Sequence, residues 1–113
     1  MHELSLCQGV VRLIEDEAKR EAFGRVRRVR LEIGALAGVE LEAMRMGFQA
    51  ASRDTVAAGA ELVILNVPGK GYCTTCKATV SVSERYDPCP RCGKFGLRLT
   101  EGAEMRIKDL EVE

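Results

Sequence analysis

The sequence predicts an α+β fold in which two helices lie on a three-stranded mixed sheet, with a small four-cysteine module inserted before the last strand. Three observations support this prediction. Two segments place apolar residues at helical spacing, three segments show the alternation or β-branched content of strands, and the stretch before the last strand has neither pattern. The 113 residues suit one domain of ordinary size, or a small domain that carries a smaller insert.

The first element is predicted to be a helix that begins near Ser5 and ends by Ala22. Ser5 and Gln8 fit a capping box, in which the serine side chain bonds the glutamine amide. Gly24 follows as a helix stop. Apolar residues recur inside this segment at three- and four-residue spacing: Leu6, Val10, Leu13, Ile14 and Ala18. A second helix, predicted to begin near residues 39–40, carries a similar stripe: Leu41, Met44, Phe48 and Ala51.

The three strands are predicted at residues 29–33, 61–67 and 105–113. In the first, apolar residues alternate with charged ones, as on a half-buried strand. The second is apolar and β-branched, and a Pro-Gly pair follows it. The third changes the phase of its alternation at Asp109, which predicts a β-bulge there. The sequence does not predict the order of the strands in the sheet.

Residues 70–98 are predicted to form the inserted domain, and residues 1–69 with 99–113 the α+β body. Seventeen basic and seventeen acidic residues cancel over the whole chain, but the insert carries six basic and two acidic residues. The six are scattered and few aromatic side chains accompany them, which favours a solvated surface over a nucleic-acid interface. Four arginines lie in or just before the first strand: Arg25, Arg27, Arg28 and Arg30. The favoured interpretation is that they form the solvent face and lead-in of this strand, and the alternative is a docking patch for an acidic partner.

Two C-x₂-C pairs in the insert give the strongest signal in the chain. Twelve residues separate the pair Cys73 and Cys76 from the pair Cys89 and Cys92, and four thiolates at this spacing suit tetrahedral zinc. The module is therefore expected to be zinc-ribbon-like, with Gly93 letting the chain leave at positive φ. Four thiolates leave no position for water, so the zinc is expected to be structural. Rubredoxin-like iron, with an electron-transfer function, is the alternative.

The sequence predicts a cytoplasmic protein without a membrane partner. No apolar run approaches the roughly 18 residues of a membrane span. The first residues contain Glu3 and lack the basic and apolar regions of a secretory signal. In the cytoplasm thiols stay reduced, so paired cysteines are more often metal ligands than disulfides.

The single histidine of the chain is residue 2. The α-amine of Met1, the amide nitrogen of His2 and the imidazole can close two adjacent chelate rings around one metal ion. Because the amide must lose its proton, this donor set favours nickel(II) or copper(II) over zinc. A histidine near a terminus is more often simply solvated, so this feature alone leaves both interpretations open.

Four segments together resemble the HypA/HybF family: MHELSLCQ at 1–8, GALAGVE at 34–40, DTVAAGAELVI at 54–64 and YDPCPRCG at 86–93. These are nickel-insertion accessory proteins for the maturation of NiFe-hydrogenases. The resemblance implies a nickel domain with His2 as ligand, and a separate zinc domain that bears the four paired cysteines. It also implies delivery of nickel to the hydrogenase large-subunit precursor with a HypB-type GTPase as partner, and in some organisms a role in urease maturation.

The resemblance implies His2 as a nickel ligand with acidic residues nearby, and the chelate chemistry of the first two residues adds the amine of Met1. Glu3 matches the start of the family and is expected to contribute its backbone amide or carboxylate. Glu40 lies where an acidic residue recurs in the family, although a favourable charge at a helix N-terminus explains it at least as well. Cys7 is interpreted as a buried core residue rather than as a soft metal ligand.

The expected function is therefore that of a non-catalytic carrier with nickel as cargo and zinc as structural ion. The chain has no second histidine to act as a base and no glycine loop that could cradle a phosphate, so it is not expected to be an enzyme. The alternative is a zinc-ribbon module that binds nucleic acid or protein. The sequence leaves monomer and homodimer open.

Overall fold

The structure is a computed structural model that describes residues 2–113. Within that range the chain forms two helices and six strands, in the order α1 His2–Glu21, β1 Val26–Gly34, α2 Leu41–Ala51, β2 Glu61–Val67, β3 Lys70–Cys73, β4 Ala78–Ser81, β5 Arg98–Glu101 and β6 Met105–Val112. Neither of these helices is long and apolar enough to cross a membrane.

The three long strands form a sheet in the order β2-β1-β6. Strand β2 runs parallel to β1, because Arg28 pairs with Glu61 near the start of both strands and the Ala35 N–H donates to the Val67 carbonyl at 2.8 Å near their ends. Strand β6 is antiparallel to β1, since the Glu113 N–H just after β6 donates to the Arg25 carbonyl just before β1, and the Gly34 N–H at the end of β1 donates to the Glu104 carbonyl just before β6. The predicted α+β fold with a mixed three-stranded sheet is therefore confirmed.

The phase change predicted at Asp109 corresponds to a real irregularity in β6. On the solvent face Arg106 pairs with Glu32, and Asp109 pairs with Arg30. Two residues of β6 separate Arg106 from Asp109, whereas a single residue of β1 separates their partners. Lys108 and Asp109 are both exposed, so the alternation of β6 breaks at the position where the bulge was predicted. Because of it, the apolar residues on both sides of the break remain on one face of the sheet.

The residues contact one another as two compact units. The first contains the described residues up to Leu31, together with Val39–Ile64 and Ile107–Glu113, and the second contains Glu32–Gly38 and Leu65–Arg106. The second unit includes a small sheet in the order β4-β3-β5. The sequence did not predict these three strands, because four-residue strands rich in Gly and Thr are too short to show a period. The division at residues 70 and 98 stays a prediction.

The core of the first unit is aliphatic and joins α1, α2 and β1. Its fully buried side chains include Ile14 from α1, Met44 from α2 and Leu31 from β1. The predicted stripe on α1 is confirmed at Val10, Ile14 and Ala18, but 61 % of Leu13 is exposed and Val11 is buried instead. Residues two positions apart on a helix point in nearly opposite directions, so Val11 and Leu13 cannot both face the core. The contact with α2 decides which of the two is buried.

The predicted capping box at Ser5 is wrong, since α1 begins at His2 and Ser5 is an exposed residue of the helix. The first turn is stabilised instead by packing against α2. A Cβ built on Gly47 lies 3.4 Å from the Cα of Leu4 and 3.1 Å from the Sγ of Cys7, so the two helices approach closely at a residue that has no side chain. Glu3 adds a favourable negative charge in the first turn.

Three glycines bring backbone segments of the second unit into direct contact. A Cβ built on Gly34 lies 2.0 Å from the carbonyl oxygen of Gly102, and one built on Gly69 lies 2.5 Å from the carbonyl oxygen of Val82. The Gly102 carbonyl also accepts the N–H of Leu36 at 2.8 Å, and Gly102 has a φ of 84° that favours glycine. Any side chain at Gly34 must separate these segments.

Replacing Gly34 with alanine is therefore expected to lower the free energy of unfolding by about 1–3 kcal/mol, as overpacking does in a rigid environment. Gly9→Ala is the matched control. No atom lies within 4 Å of a Cβ built on Gly9, and alanine in a helix interior is favoured over glycine by up to about 1 kcal/mol. Urea titrations followed by far-ultraviolet circular dichroism measure both changes. Equal midpoints for Gly34→Ala and the wild type would contradict this account.

Candidate metal sites

The four paired cysteines meet in a single cluster. Cys73 ends β3, Cys76 lies in the turn that leads to β4, and Cys89 and Cys92 lie in the loop before β5. Their four sulfur atoms all lie within 4.8 Å of one another. The Sγ atoms of Cys73 and Cys92 are 3.6 Å apart, and those of Cys76 and Cys89 are 3.9 Å apart. The arrangement is therefore a metal site of four sulfur donors.

Each C-x₂-C pair forms a knuckle in which a backbone amide points at the first sulfur. The Cys76 N–H donates to the Sγ of Cys73, and the Arg91 N–H donates to the Sγ of Cys89, both at 3.4 Å. The residue after each pair has a left-handed backbone, with φ of 52° at Lys77 and 76° at Gly93. The expectation for Gly93 is confirmed. The same turn at Lys77, which the sequence does not reveal, carries a conformational cost that glycine avoids.

A bound cation decides whether the four cysteine thiols of the cluster can all lose their protons. Hydrogen bonds from the amides of Cys92 and Arg91 lower the pKa of the Cys89 thiol to about 7. Desolvation, together with the neighbouring thiols, raises the pKa of Cys76 to about 12. Without a cation the four sulfurs cannot all be thiolates near neutral pH, because each negative charge opposes the next. A bound metal ion removes that opposition, so metal binding and deprotonation occur together.

The surroundings of the cluster are apolar on one side. Cys73 and Cys89 are buried together with Val80, and Leu97 packs against them. Cys92 is exposed. Because four sulfurs complete a tetrahedron, a metal ion held here has no position left for water or substrate. The site can hold an ion and stabilise its loops, but it offers no reactive ligand position.

The second set of predicted ligands lies at the start of α1. His2 is the first residue of the helix and 62 % of its side chain is exposed, with Nδ1 3.8 Å from Oε2 of Glu3. Met1, whose amine was predicted as a ligand, lies outside the described residues. The amide of His2 belongs to the first turn, where N–H groups have no acceptor within the helix. That amide is therefore available for a metal bond.

Glu3 and Glu40 make contacts that explain their positions. The Glu40 N–H donates to Oε2 of Glu3 at 3.1 Å, and this bond is the main reason that the pKa of Glu3 is lowered. The carboxylate of Glu40 accepts the N–H groups of Glu42 and Ala43 at 3.3 and 2.7 Å, which makes it the N-cap of α2. The interpretation of Glu40 as a charge at a helix N-terminus is therefore confirmed.

Only the cysteines form a complete donor set by themselves. Within residues 2–113, they are the one group of three or more His, Cys, Asp or Glu side chains that lie close enough to hold a metal ion. His2 and Glu3 are adjacent, and Glu3 contacts the backbone of Glu40, but the Glu40 carboxylate is directed at the amides of α2. Any ion at the start of α1 therefore needs backbone donors or donors from another molecule.

Cys7 is a core residue, as interpreted from its spacing. It is fully buried, and its thiol donates to the carbonyl of Met44 at 3.3 Å. Burial raises the pKa of this thiol, which keeps it protonated. Its contacts are with Met44 and Gly47 on α2, and it serves the contact between the helices.

The four arginines around β1 are the solvent face of the sheet rather than a free docking patch. Arg28 lies between Glu61 of β2 and Glu111 of β6, and Arg30 pairs with Asp109. The remaining two also have carboxylate neighbours near the end of β6. The sequence contained a signal for these ion pairs, since the acidic residues of β6 and the arginines of β1 lie on the same face of two antiparallel strands.

Comparisons with known proteins find matches along nearly the whole chain. The family model described as "Hydrogenase/urease nickel incorporation, metallochaperone, hypA" matches residues 1–112. The proteins named hydrogenase maturation factor HypA from Alkalilimnicola ehrlichii and from Rhodopseudomonas palustris are each 53 % identical to the chain over 113 residues and the full length of both proteins.

Two solved structures have the same fold. The solution structure of the Ni metallochaperone HypA from Helicobacter pylori has a TM-score of 0.74 at 24 % identity, and covers 97 % of this chain and 96 % of its own. A second structure, described as the solution structure of HypA protein, has a TM-score of 0.74 at 25 % identity and covers 100 % of this chain and 97 % of its own. The chain therefore belongs to the HypA family of metallochaperones for nickel incorporation into hydrogenase and urease.

Proposed function

We propose that this protein binds nickel(II) at its amino terminus and delivers it to the precursor of the NiFe-hydrogenase large subunit in the cytoplasm, with a HypB-type GTPase as partner. In this proposal, zinc held by the four cysteines is structural. The observation that carries it is the contrast between the two donor sets. The cysteine set is closed, whereas His2 is exposed in the first turn of α1 and has few neighbouring donors.

The distances in the cysteine cluster support a tetrahedral ion such as zinc. A tetrahedral ion with metal–sulfur bonds of about 2.3 Å requires sulfurs separated by roughly 3.8 Å. The separations of 3.6 and 3.9 Å lie on either side of this value. Zinc has no redox chemistry and accepts tetrahedral thiolates readily, so it suits a site that stabilises a module with little apolar content.

The chemistry of the first two residues supports nickel as cargo. The Met1 amine, the His2 amide and the imidazole supply three nitrogens in fused rings, a planar arrangement that nickel(II) favours and zinc does not. The carboxylate of Glu3 is the next nearest donor, and its bond to the Glu40 amide holds it beside the imidazole. In this arrangement Glu40 positions Glu3 rather than binding the metal. The three nitrogens occupy three positions of a square plane, so the fourth position can pass from the Glu3 carboxylate to a donor of the receiving protein.

A zinc-ribbon module that binds nucleic acid is the competing function, and the basic residues of the insert do not favour it. Arg85 donates to the Leu36 carbonyl at 2.9 Å, and Arg98 lies over the ring of Tyr72. Lys70 has Glu101 as its ion-pair partner. Three of the six basic side chains therefore already have partners within the chain, which leaves few cations to bind phosphates.

We expect nickel binding to require both the free Met1 amine and the His2 ring. His2→Ala, or acetylation of the amine, removes one donor and breaks a chelate ring, so nickel affinity should be lost in titrations of tag-free protein. Because binding releases protons, the affinity of the wild type should fall as the pH is lowered. Ser5→Ala, an exposed change one turn later in α1, is the control and should titrate like the wild type. Unchanged nickel stoichiometry and affinity in His2→Ala would place the site elsewhere.

Inserting one glycine between Met1 and His2 tests the need for an exchangeable coordination position. The histidine then becomes the third residue, and the amine, two amides and the imidazole supply four nitrogens, which fill a square plane. This variant is expected to bind nickel tightly but to transfer it poorly to the hydrogenase precursor. Transfer at the wild-type rate would show that no exchangeable position is needed.

Removing a sulfur ligand, as in Cys73→Ser, is expected to unfold residues 70–98 and to leave the α+β body folded. The predicted helix and strand patterns that define the body lie outside this segment. Thr74→Ser, a change at an exposed position of the same turn, should retain one zinc per chain. Amide hydrogen exchange locates the change. Loss of protection at residues 29–33 of β1 in Cys73→Ser would refute the independence of the two parts.

A further inference from the structure

Strand β2 has the sequence of an interior strand, although it lies at an edge of the main sheet. The order β2-β1-β6 places no strand of residues 2–113 on its outer side. Its sequence, ELVILNV, contains one charged residue, Glu61, and the apolar run LVIL follows it. Such runs are typical of strands that are covered on both faces, whereas edge strands usually carry charges or proline that prevent further pairing. The sequence of β2 is therefore that of a strand with a second neighbour.

The hydrogen bonds of β2 show which of its backbone groups face outward. The Val67 carbonyl accepts the N–H of Ala35, just after β1. Because the N–H and C=O of one strand residue point to the same side and successive residues alternate, the odd-numbered residues of β2 face β1. Leu62 and Ile64 therefore present their backbone groups to the outside. The Arg45 guanidinium approaches the Leu62 carbonyl at 3.4 Å, which agrees with this assignment.

Both faces of β2 beside this edge are apolar. Leu62 lies on the helix side of the sheet, where it lines a groove together with Phe48 of α2. Val63 lies on the opposite side, which is the solvent face on which Glu61 pairs with Arg28. Leu62 and Val63 are both partly exposed. A strand added at this edge would cover apolar surface on both sides of the sheet.

The groove beside the start of β2 is positively charged. It has a volume of about 490 Å³ and lies between the end of α2 and the segment that leads into β2. Arg45, Gln49 and Arg53 line it at intervals of four residues, all three are exposed, and none of the described residues that line it is acidic. Arg53 has no ion-pair partner within residues 2–113. Arg45 and Glu42 are 4.0 Å apart and exposed, and such a pair contributes little.

We infer that the outer edge of β2 binds an extended apolar segment of another protein, which adds a fourth strand to the sheet and ends in acidic residues. The outward backbone groups of Leu62 and Ile64 bond to the added strand, as in other cases of strand addition at a sheet edge. An antiparallel segment has its carboxyl end beside the start of β2, where the groove lies. Carboxylates at that end therefore reach Arg45 and Arg53.

The charges select this occupant over a second copy of β2. In a second copy, β2 offers Glu61 as its one acid, and that side chain already pairs with Arg28. The free guanidinium of Arg53 would then have no carboxylate to bind. An acidic segment from a different protein supplies the carboxylates that the groove requires.

This surface is separate from the residues proposed to hold nickel. Glu40 precedes α2, and Gln49 lies nine residues later, which is roughly 14 Å along the helix. A segment bound at the groove therefore does not use His2 or Glu3. Changes at Arg53 are expected to leave nickel affinity at the wild-type value.

Nuclear magnetic resonance of the full-length labelled protein tests the edge with a synthetic peptide. The probe has about nine residues, alternates valine and threonine, and ends in two aspartates. Its addition should shift the amide signals of Leu62 and Ile64 in a saturable way. A second peptide, methylated at the backbone nitrogens that face β2, keeps every side chain. It should bind at least about tenfold more weakly, because it cannot donate to the outward carbonyls.

Arg53→Glu tests the charge of the groove. It should weaken binding of the acidic peptide at least about tenfold and strengthen binding of a peptide that ends in two lysines instead. Arg12→Glu, an equal charge change at an exposed position of α1, is the matched control and should bind both peptides like the wild type. The comparison of the plain and methylated peptides uses the wild type alone, so it stands even if Arg53→Glu does not fold.

Four results would each overturn the inference. The first is that no peptide shifts the signals of Leu62 and Ile64, and the second is that the methylated peptide binds as well as the plain one. The third is that folded Arg53→Glu binds the acidic peptide like Arg12→Glu. The fourth is that inorganic phosphate shifts the same signals with the same affinity, which would make the groove an anion site. Signals of Leu62 and Ile64 that move on dilution of the protein alone would assign the edge to a second copy instead.

Discussion

The close approach of α1 and α2 at Gly47 is the contact on which the proposed amino-terminal nickel site depends. A side chain at Gly47 would meet the sulfur of Cys7 and the backbone of Leu4, so glycine lets the first turns of α1 lie directly against α2. That contact brings Glu3 to the Glu40 amide at the start of α2. His2 is therefore bonded to Glu3, whose carboxylate is held by a hydrogen bond, although His2 is only the second residue of the sequence. Cys7 contributes by packing against Met44 and Gly47 of α2 rather than by binding a metal.

The two donor sets suit opposite requirements. A structural ion must remain bound, and the cysteine cluster surrounds its ion with four sulfurs, two of them buried. A cargo ion must leave, and the start of α1 offers an exposed imidazole with one nearby carboxylate. The two sets also differ in chemical type, because the first is entirely sulfur and the second is nitrogen and oxygen. In the proposed function, this difference in donor atoms gives zinc and nickel different preferred sites.

The sequence predicted those features that depend on residue type and spacing. The cysteine pairs predicted the cluster, Gly93 predicted its left-handed turn, and the phase change at Asp109 predicted a bulge. It failed where tertiary contacts decide. Packing against α2 starts α1 before Ser5 and turns Leu13 outward, and neither effect appears in the pattern of α1 alone. The strands of the insert were missed because backbone pairing and a metal cluster, rather than an apolar period, define them.

The central claim is that nickel and zinc occupy separate sites with different donor atoms. X-ray absorption at the nickel and zinc edges tests it directly, on tag-free protein loaded with one equivalent of each metal. The account predicts that zinc is surrounded by four sulfurs at about 2.3 Å and that nickel is surrounded by nitrogen and oxygen alone. Sulfur in the first coordination shell of nickel, or fewer than four sulfurs around zinc, would contradict it.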